Sequence, residues 1–230
     1  MRLEDLIGRY GLDDRTFARL TGLAQRLQDD ERAPTALREP SQVLTHHIAD
    51  SVVGLELDQV RGAQAVADIG SGAGLPGAAL AASLPDAAVT LVEARRDRCS
   101  FLVSMLGSIE LANARVVCAR AEQWQAGLLA SDLVVARAVA LQPVVLEYAA
   151  PLLALGGTLV EWRGSRDREE ERGGDRAAGT LGLRRVEVRR VEPFPGARER
   201  HLHVFEKVAP TPAGFPRRAG VAARKPLGSS

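Results

Sequence analysis

The sequence predicts an α/β fold: a mostly parallel seven-stranded sheet, helices on both faces, a terminal antiparallel hairpin, and N-terminal helices ahead of it. Three observations carry that prediction. Short apolar runs at 65–69, 88–93, 114–118, 132–136 and 157–162 alternate with helix-spaced segments at about 76–84, 95–108, 120–128 and 141–154. This alternation is what a parallel sheet with crossover helices requires. Two more strand-like runs, 181–192 and 200–208, are separated only by a turn with Pro193, Pro195 and Gly196, so they pair antiparallel with no crossover between them. The first strand, finally, ends on Asp68 and a loop dense in glycine: Gly70, Gly72, Gly74 and Gly77. Such a loop lets the backbone turn sharply and approach a ligand without Cβ interference.

Taken in order, Leu3, Leu6, Ile7 and Tyr10 keep helical spacing, and so do Phe17, Leu20, Leu23, Ala24 and Leu27, with Gly11 and Asp13-Asp14 as punctuation between them. The acidic stretch 28–40, which contains Pro34, reads as a loop. Ser41 is the expected N-cap of a helix running to about Leu57. Beyond the fifth strand, 163–180 is polar and rich in Gly and Arg and reads as a loop. The tail 209–230, rich in Pro, Arg and Gly, is expected to be extended. The division that follows is a helical extension over 1–60 packed on the catalytic domain, a catalytic domain over 61–208 and a basic tail over 209–230.

Composition bounds the chemistry. With 230 residues, 46% of them hydrophobic and 26% charged, the chain can build one substantial core. No apolar run approaches the roughly 20 residues of a membrane span. The acidic start (Glu4, Asp5, Asp13, Asp14) does not resemble a secretory signal. Cys99 and Cys118 are too few for a disulfide framework or a zinc cluster and are expected to pack as small apolar groups, which points to a cytoplasmic home. Histidines scattered at 46, 47, 201 and 203 suggest no metal site. Charge is lopsided: residues 183–230 carry 9 Arg and 2 Lys against 4 Glu, whereas residues 1–60 carry 7 Arg against 11 acids. A basic C-terminal quarter suits phosphate contact, as well as an ordinary solvated surface.

Two ligands compete for the glycine loop. Gly72-Ala-Gly74-Leu-Pro-Gly77 matches the dinucleotide pattern G-x-G-x-x-G, a weak match by itself, and in that register Asp68 stands where the strand is normally apolar. The other register, Asp68-Ile-Gly70-Ser-Gly72-Ala-Gly74, resembles motif I of S-adenosylmethionine-dependent methyltransferases. Asp68 could there meet the ammonium of the cofactor, directly or through water, and Gly70, Gly72 and Gly74 admit its ribose and methionine portions. Glu93, closing the second strand, can accept from both ribose hydroxyls, although dinucleotide sites use a carboxylate in the same way. Arg120-Ala121-Glu122 can flank the adenine. The terminal hairpin favours the Rossmann-like sheet of class I methyltransferases over a dinucleotide domain.

Several segments, in their order and spacing, resemble one family. Arg38-Glu39-Pro40 followed by His47-Ile-Ala-Asp50-Ser51, the extension Gly74-Leu75-Pro76-Gly77, Arg137-Ala138 after the fourth strand, Phe215-Pro216-Arg217-Arg218 and Lys225-Pro226-Leu227 are similar to signatures of the bacterial 16S ribosomal RNA guanine-N7 methyltransferases, RsmG or GidB. The resemblance covers roughly residues 36–225. It departs at Ala136, where the family has serine, and over 28–37, which is acidic and lacks the family's Asn and aromatic residues. It implies methyl transfer from S-adenosylmethionine to N7 of the guanine numbered 527, with Gly70, Leu75, Ala121, Glu122 and Arg137 at the cofactor site and Arg137 acting in catalysis. Guanine N7 has a free lone pair, so no strong base is needed, and neither cysteine follows a proline as cytosine-C5 chemistry would demand. His47, Arg198, Arg200, Arg217, Arg218 and Lys225 are the candidates for RNA contact. The expected partner is 16S rRNA, naked, in an assembly intermediate or in the small subunit, met by a monomer with no membrane association. The alternatives are a methyltransferase for a small molecule or protein and an NAD(P)-dependent oxidoreductase.

Overall fold

The computed structural model describes residues 2–228. Helix α1 (Leu3–Tyr10) ends on Gly11 in the left-handed region, and α2 (Asp14–Asp29) starts where the Asp13 carboxylate accepts the Thr16 N–H at 2.8 Å. Arg38 then pins the 28–37 loop, donating to the carbonyls of Leu27, Asp30 and Ala33 at 2.9, 2.7 and 3.0 Å. The Leu27 carbonyl lies in the last turn of α2, where carbonyls have no partner within the helix and a cation meets the negative end of its dipole; Asp30 and Ala33 belong to the cap and loop beyond it.

The next helical run covers 40–56 in four pieces: α3 (Pro40–Gln42), a π-helical stretch (Val43–Ala49), α4 (Asp50–Val52) and a 3₁₀ turn (Val53–Glu56). Its cap is Glu39, not Ser41. The Glu39 carboxylate accepts the N–H groups of Ser41 and Gln42 at 3.1 and 2.9 Å. Pro40 at the first helical position, with its fixed φ and no N–H, moves the start ahead of Ser41. A short helix α5 (Asp58–Arg61) leads into the sheet.

Strands β1 (Ala65–Ile69), β2 (Ala88–Glu93), β3 (Ala114–Cys118), β4 (Ser131–Arg137), β5 (Leu153–Arg163), β6 (Leu183–Arg190) and β7 (His201–Lys207) form one sheet in the order β3-β2-β1-β4-β5-β7-β6. The first five are parallel, and β7 runs antiparallel between β5 and β6. Alternation along the strands divides the core. Val66, Val89, Leu91, Leu133, Val135, Val160 and Val204 face one side with α1, α2, α6 (Gly77–Ser83) and α7 (Arg96–Ser108). Ala67, Ile69, Val92, Val134, Ala136, Leu159 and Phe205 face the other with α8 (Gln142–Ala149) and α9 (Arg168–Leu181). The period of two in each strand is thus spent on two separate apolar layers.

The structure corrects five local expectations. Residues 163–180 are not a loop. Helix α9 occupies most of them, capped by Asp167, whose carboxylate accepts from Glu169 and Glu170 N–H at 2.8 and 3.1 Å. Its buried face is built largely from Gly173, Gly174, Ala177 and Ala178, so no large apolar stripe announces it. Segment 120–128 is two 3₁₀ turns (Ala121–Gln123 and Gln125–Gly127) around the buried Trp124, and a Cβ on Gly127 would fall 2.3 Å from its ring. Helix α8 stops at Ala149 rather than near 154, because β5 begins at Leu153. Cys99 and Cys118 form a disulfide, Cα atoms 5.8 Å apart, instead of packing as free thiols, so the argument from cysteine to compartment falls away.

The tail, finally, is not merely extended. It carries α10 (Val221–Arg224) and is fastened to the domain along its length. Phe215 and Leu227 pack on the second core. Arg217 forks onto the Glu147 carboxylate, its Nε at 2.7 Å, and also donates to the Lys225 carbonyl at 2.9 Å. The Gly220 N–H donates to Glu122 Oε1 at 3.0 Å, and Arg176 Nε to the Gly228 carbonyl at 3.0 Å.

A buried polar cluster under α8 and α9 makes stability pH-dependent. Gln142 Nε2 lies 2.9 Å from both Glu161 Oε2 and His203 Nδ1. Because that amide donates, Nδ1 must accept, so the imidazole is held neutral. Burial, 1% exposed, pulls the pKa of His203 down to about 4 from its ordinary 6.5. The unfolded chain therefore binds a proton first on acidification, and this contribution to stability is lost as pH falls from about 6.5 to about 4. The shift corresponds to about 3 kcal/mol. Urea titrations across this range should show wild-type stability falling with pH more steeply than that of His203→Gln; equal slopes would be the contrary result.

Candidate active site

The glycine loop is a clasp between β1 and β2. Gly70 and Ser71 N–H donate to the Val92 carbonyl at 2.8 and 3.2 Å. Gly72, with φ +55°, turns its N–H onto Glu93 Oε2 at 2.9 Å. Glu93 is 4% exposed at the end of β2, and its Oε1 accepts the Arg95 N–H at 2.8 Å. A carboxylate can accept about four hydrogen bonds, so Glu93 holds the loop and retains capacity for a ligand hydroxyl.

Asp68 lies under this loop rather than in its mouth. It is 1% exposed, and Oδ2 accepts the Gly77 N–H at 3.1 Å, at the first turn of α6. A Cβ on Gly77 would sit 2.6 Å from that oxygen, so the close approach demands glycine. Burial pushes the Asp68 carboxyl up to about 7, and its Oδ1 has no hydrogen-bond partner among the described residues. Leu75 turns into the first core at 4% exposure, and Gly74 packs toward Met105 and Leu102. Of the residues read as cofactor-binding, Gly70, Gly72 and Glu93 therefore cluster at the strand ends, with Asp68, Gly74 and Leu75 supporting them from below. Ala121 and Glu122 follow β3 along the same edge, and Glu122 is held by the tail through Gly220.

Beside the clasp, at the ends of β4 and β5 and the start of β7, opens a cavity of about 360 Å³. Its principal side chains are Asp50, Arg137, Trp162, Arg163, Arg200 and His201. Arg137 leaves the end of β4 and donates through Nη1 to Asp50 Oδ2 at 2.9 Å and to Ser51 Oγ at 3.3 Å. Arg200 Nε approaches the other oxygen, Asp50 Oδ1, at 3.2 Å. The backbone carbonyl of Asp50 accepts the Trp162 indole N–H at 2.7 Å. The irregular helical run 40–56 thus presents Asp50 to two strands at once, and π-helical turns are frequently found where a helix must place a functional residue.

Sequence reasoning left Asp50 without a role and missed Trp162 and Arg163. The only local signal was the run His47-Ile-Ala-Asp50-Ser51 within the family resemblance. The partners of Asp50 on β4 and β5 and just ahead of β7 are 87 or more residues away in the chain. His47 is half-buried, its Nε2 2.7 Å from Thr35 Oγ1, and burial with the nearby Arg137 charge pulls its pKa down to about 4. His46 packs against Phe194 at a tilt of 42°, ring centroids 5.0 Å apart. Of the expected RNA contacts, Arg198, Arg218 and Lys225 are exposed, Arg200 lines the cavity, and Arg217 is spent on Glu147.

The chain resembles known proteins at two levels. A family model described as rRNA small subunit methyltransferase G, GidB, matches residues 20–202. A ribosomal RNA small subunit methyltransferase G of Rubrobacter xylanophilus is 41% identical over 196 residues, covering 83% of this chain and 75% of that protein. The protein of the same name from Deinococcus radiodurans is 37% identical over 227 residues, covering 94% and 88%. Among solved structures, a SAM-dependent methyltransferase from Aquifex aeolicus superposes with a TM-score of 0.57 at 16% identity, over 81% of this chain and 97% of that one, which speaks to the fold. The family match over most of the chain decides between the two readings of the glycine loop. With its seven-stranded sheet and glycine clasp, the chain belongs to the S-adenosylmethionine-dependent family of small-subunit ribosomal RNA methyltransferases G.

Proposed function

We propose that this protein transfers the methyl group of S-adenosylmethionine to N7 of the guanine numbered 527 in 16S rRNA. The observation that carries the reading is the juxtaposition, at one edge of the sheet, of the Gly70–Gly72–Glu93 clasp with an arginine-lined cavity. The residues fit the cofactor: Glu93 has unused acceptor capacity at the strand end, loop residues without Cβ allow close approach, and the orphaned Asp68 oxygen gives the loop a polar underside. When bound, S-adenosylmethionine presents an electrophilic methyl group that the lone pair of guanine N7 can take in line, with no proton to remove first. Glu93 is proposed to hold the ribose, Gly70, Gly72, Gly74 and Leu75 to shape the backbone around the methionine portion, and Ala121 and Glu122 to flank the adenine. Asp68 keeps the loop's register through Gly77. Arg137 stands where it can touch cofactor and target alike, so the protein contributes mainly proximity and alignment.

In this reading residues 1–60 buttress a catalytic domain over 61–208, with the tail 209–230 strapped across it, and the protein acts as a cytoplasmic monomer. Arg198, Arg200, Arg218 and Lys225 meet RNA phosphates, where arginine forks and lysine charge both serve. The deciding experiment maps 7-methylguanosine in 16S rRNA from cells lacking the protein, with and without complementation. Loss of the modification at position 527 and its return on complementation is expected; an unchanged map overturns the reading. Calorimetric titration should show heat with S-adenosylmethionine and none with NAD(P).

A further inference from the structure

We infer that Asp50 is the specificity-determining residue for the target base, accepting the N1–H and N2–H of guanine on its Watson–Crick edge inside the cavity bounded by β4, β5 and β7. The inference rests on the proposed N7 reaction and deepens it. Among the described residues that line this cavity, Asp50 is the sole carboxylate; the other charged side chains are Arg137, Arg163 and Arg200. Its side chain is 11% exposed, and each oxygen is engaged by one guanidinium, Oδ2 by Arg137 and Oδ1 by Arg200. Each oxygen therefore keeps a second lone-pair direction.

Three features of this arrangement select guanine. Each carboxylate oxygen of Asp50 is paired with an arginine, and a carboxylate so paired offers acceptors only. An acceptor-only group matches the adjacent N1–H and N2–H donors of guanine. It opposes adenine, whose N1 offers a lone pair at that position. The surrounding guanidinium groups, which are donors only, match guanine O6 and oppose the adenine N6 amino group. N7 is the reacting atom and has to be left free, so the usual arginine fork across O6 and N7 is unavailable and discrimination has to come from the opposite edge. The helical run bearing Asp50 is anchored to β5 by the Trp162 indole N–H on the Asp50 carbonyl at 2.7 Å, which fixes the acceptor relative to the strand ends.

The test uses the full-length protein and small subunits reconstituted with 16S rRNA carrying either guanine or hypoxanthine (inosine) at the target position. Inosine keeps N7, O6 and N1–H and lacks only the N2 amino group. Wild-type protein should methylate the inosine subunit with kcat/KM lower by about 2–10-fold, since a paired contact to a base edge is lost by half. Asp50→Asn, with one acceptor oxygen in place of two, should be slower on guanine and should bring the guanine-to-inosine ratio close to one. Calorimetric affinity for S-adenosylmethionine in that variant should stay within a few-fold of wild type. Equal wild-type rates on the two subunits overturn the inference, as does an undiminished ratio in Asp50→Asn. Should Asp50→Asn not fold, the wild-type ratio alone decides. Failure of the N7 reading would show separately, as product from the guanine subunit that is not 7-methylguanosine.

Discussion

Replacing Arg137 with alanine is expected to lower the rate of methyl transfer by about 10²-fold, the loss that follows when reacting groups slip by about 1 Å from alignment. Arg137 is placed for such an effect. It stands at the end of β4, its side chain 16% exposed, fixed by Asp50, Ser51 and the His46 carbonyl. Its charge also reaches Asp68 beneath the glycine loop and lowers the pKa of His47. Asp50 keeps Arg200 as a partner in the variant, so the fold should survive. Single-turnover rates beside a thermal melt check this. Near wild-type rates would reduce Arg137 to an ion pair at the sheet's edge, and a lost melting transition would move its role to folding.

Arg217→Ala should cost about 3–5 kcal/mol of stability, because it strands a buried carboxylate. The Glu147 side chain is 1% exposed on α8, and Arg217 is its bidentate partner. Arg217 also ties the tail to itself through the Lys225 carbonyl. Removing the cation leaves a charge that water cannot reach, whereas Glu147→Gln in the same background should recover part of the loss. Denaturant titration of the three proteins measures this. If stability were unchanged while RNA affinity fell, Arg217 would instead belong with the phosphate contacts.

How much was legible depended on how each residue was used. The β1, β2 and β3 boundaries, 65–69, 88–93 and 114–118, coincide with the apolar runs; β1 and β2 lie between two helical layers and must be apolar on both faces, whereas β3 is a half-buried edge strand. Helix α9 was hidden because close packing against α8 favours small residues; a Cβ on Gly174 would fall 2.3 Å from Gln142 Oε1. Residues 120–128 failed for the opposite reason, since Trp124 supplies enough apolar surface to look helical while the backbone closes around it. The fold and the glycine loop were readable. The arrangement of charges around them was not.

The sequence by itself determined the alternation of strands and helices, the antiparallel ending and the glycine loop from Asp68 to Gly77, because each is written in a short run of the chain; the bonds from that loop to Val92 and Glu93 came with the sheet. Only the tertiary structure decided which charges meet. Asp50 joins Arg137 and Arg200 across 87 and 150 residues, Glu147 pairs with Arg217, and Cys99 pairs with Cys118. Periodicity follows from the backbone and is written locally. Charge pairing follows from the burial of ions that must find partners, and the partner is whichever residue the topology brings there.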